Sequence, residues 1–231
     1  MVKNILSAEQ INILSKVSLL GESFIVKNAF DNILTIEQFE QLLNLTPFTN
    51  VDRFRPTFKI PGYTWDVPDW SSGTNHWPNS LVNNLINTGI CFMRDCSRVN
   101  ANINNICAVL EQQINRPVDA HIYFSKTGNC VKGFGVHKDE SHNLIIQVQG
   151  TTDWKVGTKT YNDLPRNLDD FLDGDSLSID TILEPGDAIF VPAHTYHSAN
   201  SLSKRISISF PIPADTDPSH FEERTWIDWN A

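Results

Sequence analysis

The chain has 231 residues, 40% of them hydrophobic, which is enough to bury one sizeable core. Its 18 basic and 27 acidic side chains give a formal net charge of −9 with no Lys/Arg cluster, which argues against nucleic acid as a main partner. No apolar run reaches the roughly eighteen residues of a membrane span, and Asn12, Ser15 and Lys16 interrupt any signal-peptide core between Met1 and Leu20.

In chain order, Ser7-Ala8-Glu9-Gln10 has the spacing of a capping box, and Ile11, Ile13, Leu14, Val17 and Leu20 continue it as a short amphipathic helix. Ser23 to Val26 reads as a strand. Thr35 is placed to cap a second helix carrying Ile36, Phe39, Leu42 and Leu43. Residues 46–77, with Phe54, Phe58, Tyr63, Trp65 and Trp70, show no period and read as irregular, either a binding surface or aromatics plugging the outside of a barrel. Asn79 to Asn87 is a candidate short helix and Gly89 to Met93 a strand. Arg98 to Gln113 is the strongest helix, striped by Ile103, Ile106, Val109 and Leu110 and ended by Asn115-Arg116-Pro117.

From there the pattern turns to strands: Ala120 to Phe124, Val136 to Lys138, Asn143 to Val148, Asp153 to Val156, Ile179 to Leu183, Ala188 to Val191, His197 to Ala199 and Arg205 to Phe210. An Asp-rich insertion occupies 158–176. Asp163, Asp169, Asp170, Asp173, Asp175 and Asp180 fit no calcium-loop spacing and read as a solvated loop. About eight short strands after several helices predict a mainly β chain with N-terminal helices, α+β overall, built on a double-stranded β-helix of the jelly-roll or cupin type. A single domain over 1–231 is expected: a helical part at 1–118, the β-helix at 119–213 and a tail at 214–231. Cys91, Cys96, Cys107 and Cys130 form no CxxC pair and read as thiols in a reducing compartment, hence a cytoplasmic protein.

His137 and Asp139 stand two apart, so in a strand their side chains share one face. A later block, Pro185-Gly186-Asp187 through Pro192-Ala193-His194-Thr195-Tyr196-His197, is a tight turn, a strand and a second turn delivering His197. Two imidazoles and one carboxylate compose a facial triad for non-haem Fe(II). His142 and His194 stand close enough in sequence to ligate in another register, while His76 and His220 read as surface residues.

These residues carry a resemblance. His137-Lys138-Asp139, then Asn143-Leu144-Ile145-Ile146-Gln147-Val148-Gln149-Gly150 and Trp154, then Pro185-Gly186-Asp187 and the Pro192-to-His197 turn, are similar to the JmjC/cupin-like oxygenases, particularly their ribosomal-oxygenase and asparaginyl-hydroxylase branch. The similarity implies Fe(II) on His137, Asp139 and His197, 2-oxoglutarate as cosubstrate, and O2. It also implies Tyr123 near the distal carboxylate of the cosubstrate and Asn143 near the proximal one. His121 stands where relatives often carry Asn, and His194 where they carry Gly.

One position departs from the family. The usual Lys or Arg for the distal carboxylate is Thr152 here, and a dianion in a dry site needs a cation. In Arg205-Ile206-Ser207-Ile208-Ser209-Phe210 polar residues alternate with apolar ones, so Arg205, Ser207 and Ser209 share a face. The planar fork of Arg205 suits a carboxylate, with Ser207 beside it. The alternative is Arg205 on a solvent face over a core of Ile206 and Ile208. The expected function is a 2-oxoglutarate-dependent dioxygenase, a hydroxylase of a protein or peptide side chain or of a small molecule. The runner-up is a cupin-type metal-binding protein or metalloenzyme that does not use 2-oxoglutarate.

Overall fold

The computed structural model of the chain describes residues 6–17, 21–45, 54–56, 91–93, 96–125 and 134–214. Both N-terminal helices begin where the sequence caps them. Ser7 Oγ accepts from Gln10 N (3.1 Å) and Gln10 Oε1 from Ser7 N (2.9 Å), and helix α1 runs Ala8–Val17. Thr35 and Gln38 repeat the exchange ahead of helix α2, Ile36–Leu45. Helix α3, Ala101–Ile114, starts later than Arg98. Its cap is Asn100, whose Oδ1 accepts from Ile103 N at 2.9 Å. Asn115 ends it in the left-handed conformation, φ 52°.

Among the described residues, twelve strands follow the order β1 (Phe24–Val26), β2 (Phe54–Pro56), β3 (Cys91–Met93), β4 (His121–Ser125), β5 (Val136–His137), β6 (Ser141–Gln149), β7 (Thr152–Thr160), β8 (Asn167–Leu168), β9 (Leu177–Leu183), β10 (Ala188–Val191), β11 (Thr195–Ser201) and β12 (Arg205–Pro213). They make two antiparallel sheets, β1-β10-β6-β12-β4-β3-β2 and β8-β5-β11-β7-β9. From β4 onward, strands adjacent in sequence mostly fall in opposite sheets, the winding expected of a double-stranded β-helix. Two expectations change. Residues 54–56, inside the stretch expected to be irregular, pair with β3. The Asp-rich insertion is shorter than 158–176, because β7 extends to Thr160 and β8 pairs with β5. The candidate helix at 79–87, the aromatics Phe58, Tyr63, Trp65 and Trp70, and the tail after 214 lie outside the described residues.

Alternation along the central strands builds two cores. On β6, Leu144 and Ile146 join Ile206, Ile208 and Phe210 of β12 against Leu14, Phe30, Phe39, Ile103, Ile106 and Leu110 of the N-terminal region. Ile145 points the other way and packs between the sheets with Trp154, Val156, Ile179, Leu183, Ile189 and Val191. Each fully buried Leu or Ile contributes roughly 1.5–3 kcal/mol. β12 is therefore buried on both faces, which removes the alternative of Arg205 on a solvent face.

Two glycines are dictated by geometry. Gly150, between β6 and β7, has φ +71°, and a Cβ there would lie 1.6 Å from the Lys204 carbonyl oxygen. Gly186, φ +91°, makes the turn before β10, and its carbonyl accepts from Ala29 N and Phe30 N, both at 3.0 Å. The next residue, Asp187, is 1% exposed and accepts from Lys27 Nζ (2.8 Å), Asn28 N (3.1 Å) and Glu184 N (2.8 Å). The Pro-Gly-Asp turn thus clasps the N-terminal segment onto the barrel. Among the described residues no helix is long and apolar enough to cross a membrane.

Candidate metal centre

The site is assembled by one strand pairing that sequence distance hides. β5 and β11 run antiparallel with His137 opposite His197, and the two ring centroids lie 4.3 Å apart. Asp139 stands just past the end of β5. The backbone there is tied by Lys138 N to Arg166 O (2.9 Å) and by Asp139 O, which accepts from His194 N (2.8 Å). One ligand atom each from His137, Asp139 and His197 lies within 4.8 Å of the others, and His197 Nε2 is 3.7 Å from Asp139 Oδ2. Lys138 points away from this face. It is 2% exposed, and its Nζ donates to the carbonyls of Tyr161 and Asn162.

The donor set suits a divalent transition metal. His137 Nδ1 faces Gly135 O at 3.1 Å and His197 Nδ1 faces Thr195 O at 2.9 Å. Carbonyls only accept, so each Nδ1 carries the proton and each Nε2 keeps its lone pair for a metal. Burial, and for His137 the neighbouring His197, holds both imidazoles below their ordinary range and so neutral near pH 7. Burial alone would raise the Asp139 carboxyl, but the positive charge that His197 and His137 take on when protonated, together with the Arg166 guanidinium, outweighs it and holds it low. Two neutral nitrogens and one carboxylate are the composition of the non-haem iron triad.

The triad lines a cavity with an empty volume of about 500 Å³, open mouth included. Of the residues expected from sequence, Tyr123, Asn143 and Arg205 line it with the triad. Asn143 is the centre of a short relay: Ser209 Oγ donates to its Oδ1 (3.0 Å), and its Nδ2 donates to Asp139 Oδ2 (3.1 Å). Arg205, 4% exposed, donates from Nε to Ser207 Oγ (2.8 Å) and lies 5.7 Å from the Tyr123 ring centroid. Burial pushes the guanidinium down to about 10, and burial with the Asp139 charge pushes the Tyr123 hydroxyl up to about 12. Among the described residues no carboxylate pairs with Arg205.

Two expected residues stand elsewhere. Thr152 is fully buried and its hydroxyl donates to Gln147 Oε1 (3.2 Å), so it does not border the cavity. Ser207 does not line the cavity either; it holds Arg205 from behind. His121 lies 3.2 Å from Asp119 Oδ2, away from the cavity lining. His142 Nδ1 accepts from Ala193 N (3.0 Å), and His194 occupies a left-handed turn position, φ 60°, where glycine is the easy residue. Neither joins the ligand set, which among the described residues is His137, Asp139 and His197 alone. The acidic insertion forms no further ligand cluster among the described residues.

Sequence reasoning put Ser209 on the face of Arg205 without making it a site residue, and passed over Phe134, Ile145 and Ala199, which line the cavity with it, and Arg166, whose Nη2 donates to Asp139 Oδ1 at 3.0 Å. Ser209 had a signal in the alternation of β12. Arg166 had none, being one of two cations, with Lys159, in the acidic stretch 158–176.

Known proteins resemble this chain in sequence and in fold. The bifunctional lysine-specific demethylase and histidyl-hydroxylase NO66 of Dictyostelium discoideum is 24% identical over 215 residues, covering 87% of this chain and 38% of that protein. The NO66 of Drosophila persimilis is 23% identical over 204 residues, 83% of this chain and 27% of its own. This chain therefore spans well under half the length of these relatives. The ribosomal oxygenase YcfD from Escherichia coli, solved with cobalt and 2-oxoglutarate, superposes with a TM-score of 0.53 at 21% identity, covering 84% of this chain and 49% of that one. That likeness is one of fold. A family model for the JmjC domain matches residues 95–217, the stretch from just before α3 through β12 that contains the triad, Tyr123, Asn143 and Arg205, and the chain belongs to the JmjC domain family.

Proposed function

We propose that this chain is an Fe(II)- and 2-oxoglutarate-dependent oxygenase that hydroxylates its substrate while 2-oxoglutarate is decarboxylated to succinate. The observation that carries it is Arg205. A guanidinium that is 4% exposed and faces no carboxylate among the described residues is costly to keep, and it lines the same cavity as the triad. A ligand bearing its own carboxylate would complete that end, while the three residues at the other end would hold the metal.

His137, Asp139 and His197 would hold the iron, which when bound supplies the activation of O2 and the oxidative decarboxylation of the cosubstrate. The protein's part is orientation and exclusion of water. Gly135 O and Thr195 O fix the imidazole tautomers, and Asn143, itself fixed by Ser209, fixes the carboxylate. Arg205 would take the distal carboxylate of 2-oxoglutarate through its fork, with Ser207 locking the fork's angle and the Tyr123 ring packed beside it. Trp154, stacked 6.0 Å from His197, and Ile145 dry the wall between the two ends.

Relatives named as a histidyl-hydroxylase and a ribosomal oxygenase favour a protein or peptide side chain over a small molecule as substrate. We take residues 1–231 as one domain, since the helices α1, α2 and α3 share a core with the larger sheet. A cytoplasmic setting fits the cysteine pattern. The deciding experiment measures 2-oxoglutarate binding and substrate-uncoupled succinate formation with Fe(II), for the wild type and Arg205→Ala. Turnover in the wild type that is lost in the variant supports the reading. Metal binding with no affinity for 2-oxoglutarate would instead leave a cupin-type metal protein of another kind.

A further inference from the structure

Asp139 is gripped on both oxygens. Asn143 Nδ2 donates to Oδ2 at 3.1 Å, and Arg166 Nη2 donates to Oδ1 at 3.0 Å. Oδ2 is the oxygen 3.7 Å from His197 Nε2. The segment bearing Arg166 is stitched to the strands of the triad along its length. Tyr161 N donates to His194 O (2.8 Å), Tyr196 Oη to Pro165 O (2.5 Å) and Lys138 N to Arg166 O (2.9 Å). Lys138 Nζ holds the carbonyls of Tyr161 and Asn162 from below, and β8 then pairs with β5. The backbone of Arg166 is thus anchored, while its side chain is 66% exposed and reaches Asp139 from the solvent side.

A carboxylate that binds a metal through both oxygens takes two positions, one of which a facial triad must leave open. An oxygen accepting from a guanidinium cation, as Oδ1 does, is a poorer ligand than one accepting only from a neutral amide, as Oδ2 does from Asn143, and a carboxylate held on both oxygens is not free to rotate. We propose that Arg166 is a positioning residue that occupies Oδ1 and so keeps Asp139 a one-oxygen ligand through Oδ2. The positions left over then remain available to 2-oxoglutarate and O2. This inference rests on the reading that His137, Asp139 and His197 hold the metal.

The test is anaerobic titration of the full chain with Co(II), then with 2-oxoglutarate, followed by visible absorption, for the wild type, Arg166→Met and Arg166→Lys. Arg166 is exposed, so neither variant loses core packing. Arg166→Met is expected to bind Co(II) within about threefold of the wild type and 2-oxoglutarate about tenfold more weakly. Its Co(II) spectrum before 2-oxoglutarate is expected to show the weaker absorption of a more highly coordinated ion. Arg166→Lys, which keeps the charge and one donor, is expected to recover part of both. If the wild type takes up no Co(II), the metal reading fails and this inference with it. If the wild type binds both ligands and Arg166→Met matches it in spectrum and affinity, the positioning role is overturned while the metal reading stands. Loss of Co(II) binding itself in Arg166→Met would also overturn it, by giving Arg166 to the whole site rather than to one oxygen.

Discussion

Two arginines attend the site in opposite circumstances: Arg205 lines the cavity, and Arg166 reaches Asp139 from the solvent side. Arg205 is 4% exposed, has a serine and an aromatic ring for company, and meets no acid among the described residues. Arg166 is 66% exposed and is paired with Asp139. In water, pairing is weakly worth having and easily broken; in a dry cavity, a lone cation is a standing cost. The arrangement is thus the reverse of what stability alone would select. On the proposed reading, the inner arginine is left unpaired for a ligand to pair with it, and the outer one is paired to restrain a partner. The first would carry binding energy and the second geometry.

The largest test of that contrast is Arg205→Ala. Leaving a bound carboxylate without its buried partner costs about 3–5 kcal/mol, so 2-oxoglutarate binding is expected to weaken by on the order of a hundredfold or more. Isothermal titration with the metal-loaded protein measures it. Arg205→Lys is expected to recover only part, because an ammonium lacks the planar fork. A loss under tenfold in Arg205→Ala would break the assignment of the inner arginine to binding energy.

Next in size is the effect of ligand on melting. With metal present and 2-oxoglutarate about a hundredfold above its Kd, the wild type gains roughly 2.7 kcal/mol, about 5–10 °C in Tm for a chain of this length. Arg205→Ala is expected to show little of that shift at the same concentration, whereas Arg166→Met, with its tenfold weaker binding, keeps about half of it. Equal loss in both variants would mean that the two arginines are not doing different things. Asn143→Ala comes third. It removes the bond to Asp139 Oδ2 and strands the Ser209 hydroxyl, so metal affinity is expected to fall about tenfold in a chelator-competition assay.

The inner arginine was readable from sequence and the outer one was not, for a physical reason. Arg205 sits in a strand whose period of two tells which residues share its face, so Arg205, Ser207 and Ser209 declare themselves together. The same rule found His137 and Asp139. The Pro185-to-His197 block supplied His197 because turn residues mark where a strand must begin; β10 falls on Ala188–Val191 as expected. The rule fails in three ways here. It says which face Thr152 takes but not that its hydroxyl is spent on Gln147 Oε1, 3.2 Å away. It cannot show that a strand is buried on both sides, as β12 is, because that depends on helices far away in sequence. And it has no hold on Arg166, whose contact with Asp139 spans a turn and an irregular loop.

The smallest expected effect separates a restraint from a staple. The Arg166–Asp139 pair is exposed on the arginine side, and exposed ion pairs contribute about 0.2–1 kcal/mol. The loop itself is held without that side chain, by Lys138, Tyr196 and the β5–β8 pairing. Arg166→Met should therefore lower the metal-free unfolding free energy by less than about 1 kcal/mol in urea, with the slope of the transition unchanged. A loss above about 2 kcal/mol, or a changed slope, would mean that the outer arginine holds the fold together. Its grip on Asp139 would then be a by-product of packing, and the division between an arginine for binding and an arginine for geometry would collapse. A small loss, alongside the weakened 2-oxoglutarate binding expected of the same variant, would locate the work of Arg166 in the orientation of one carboxylate oxygen.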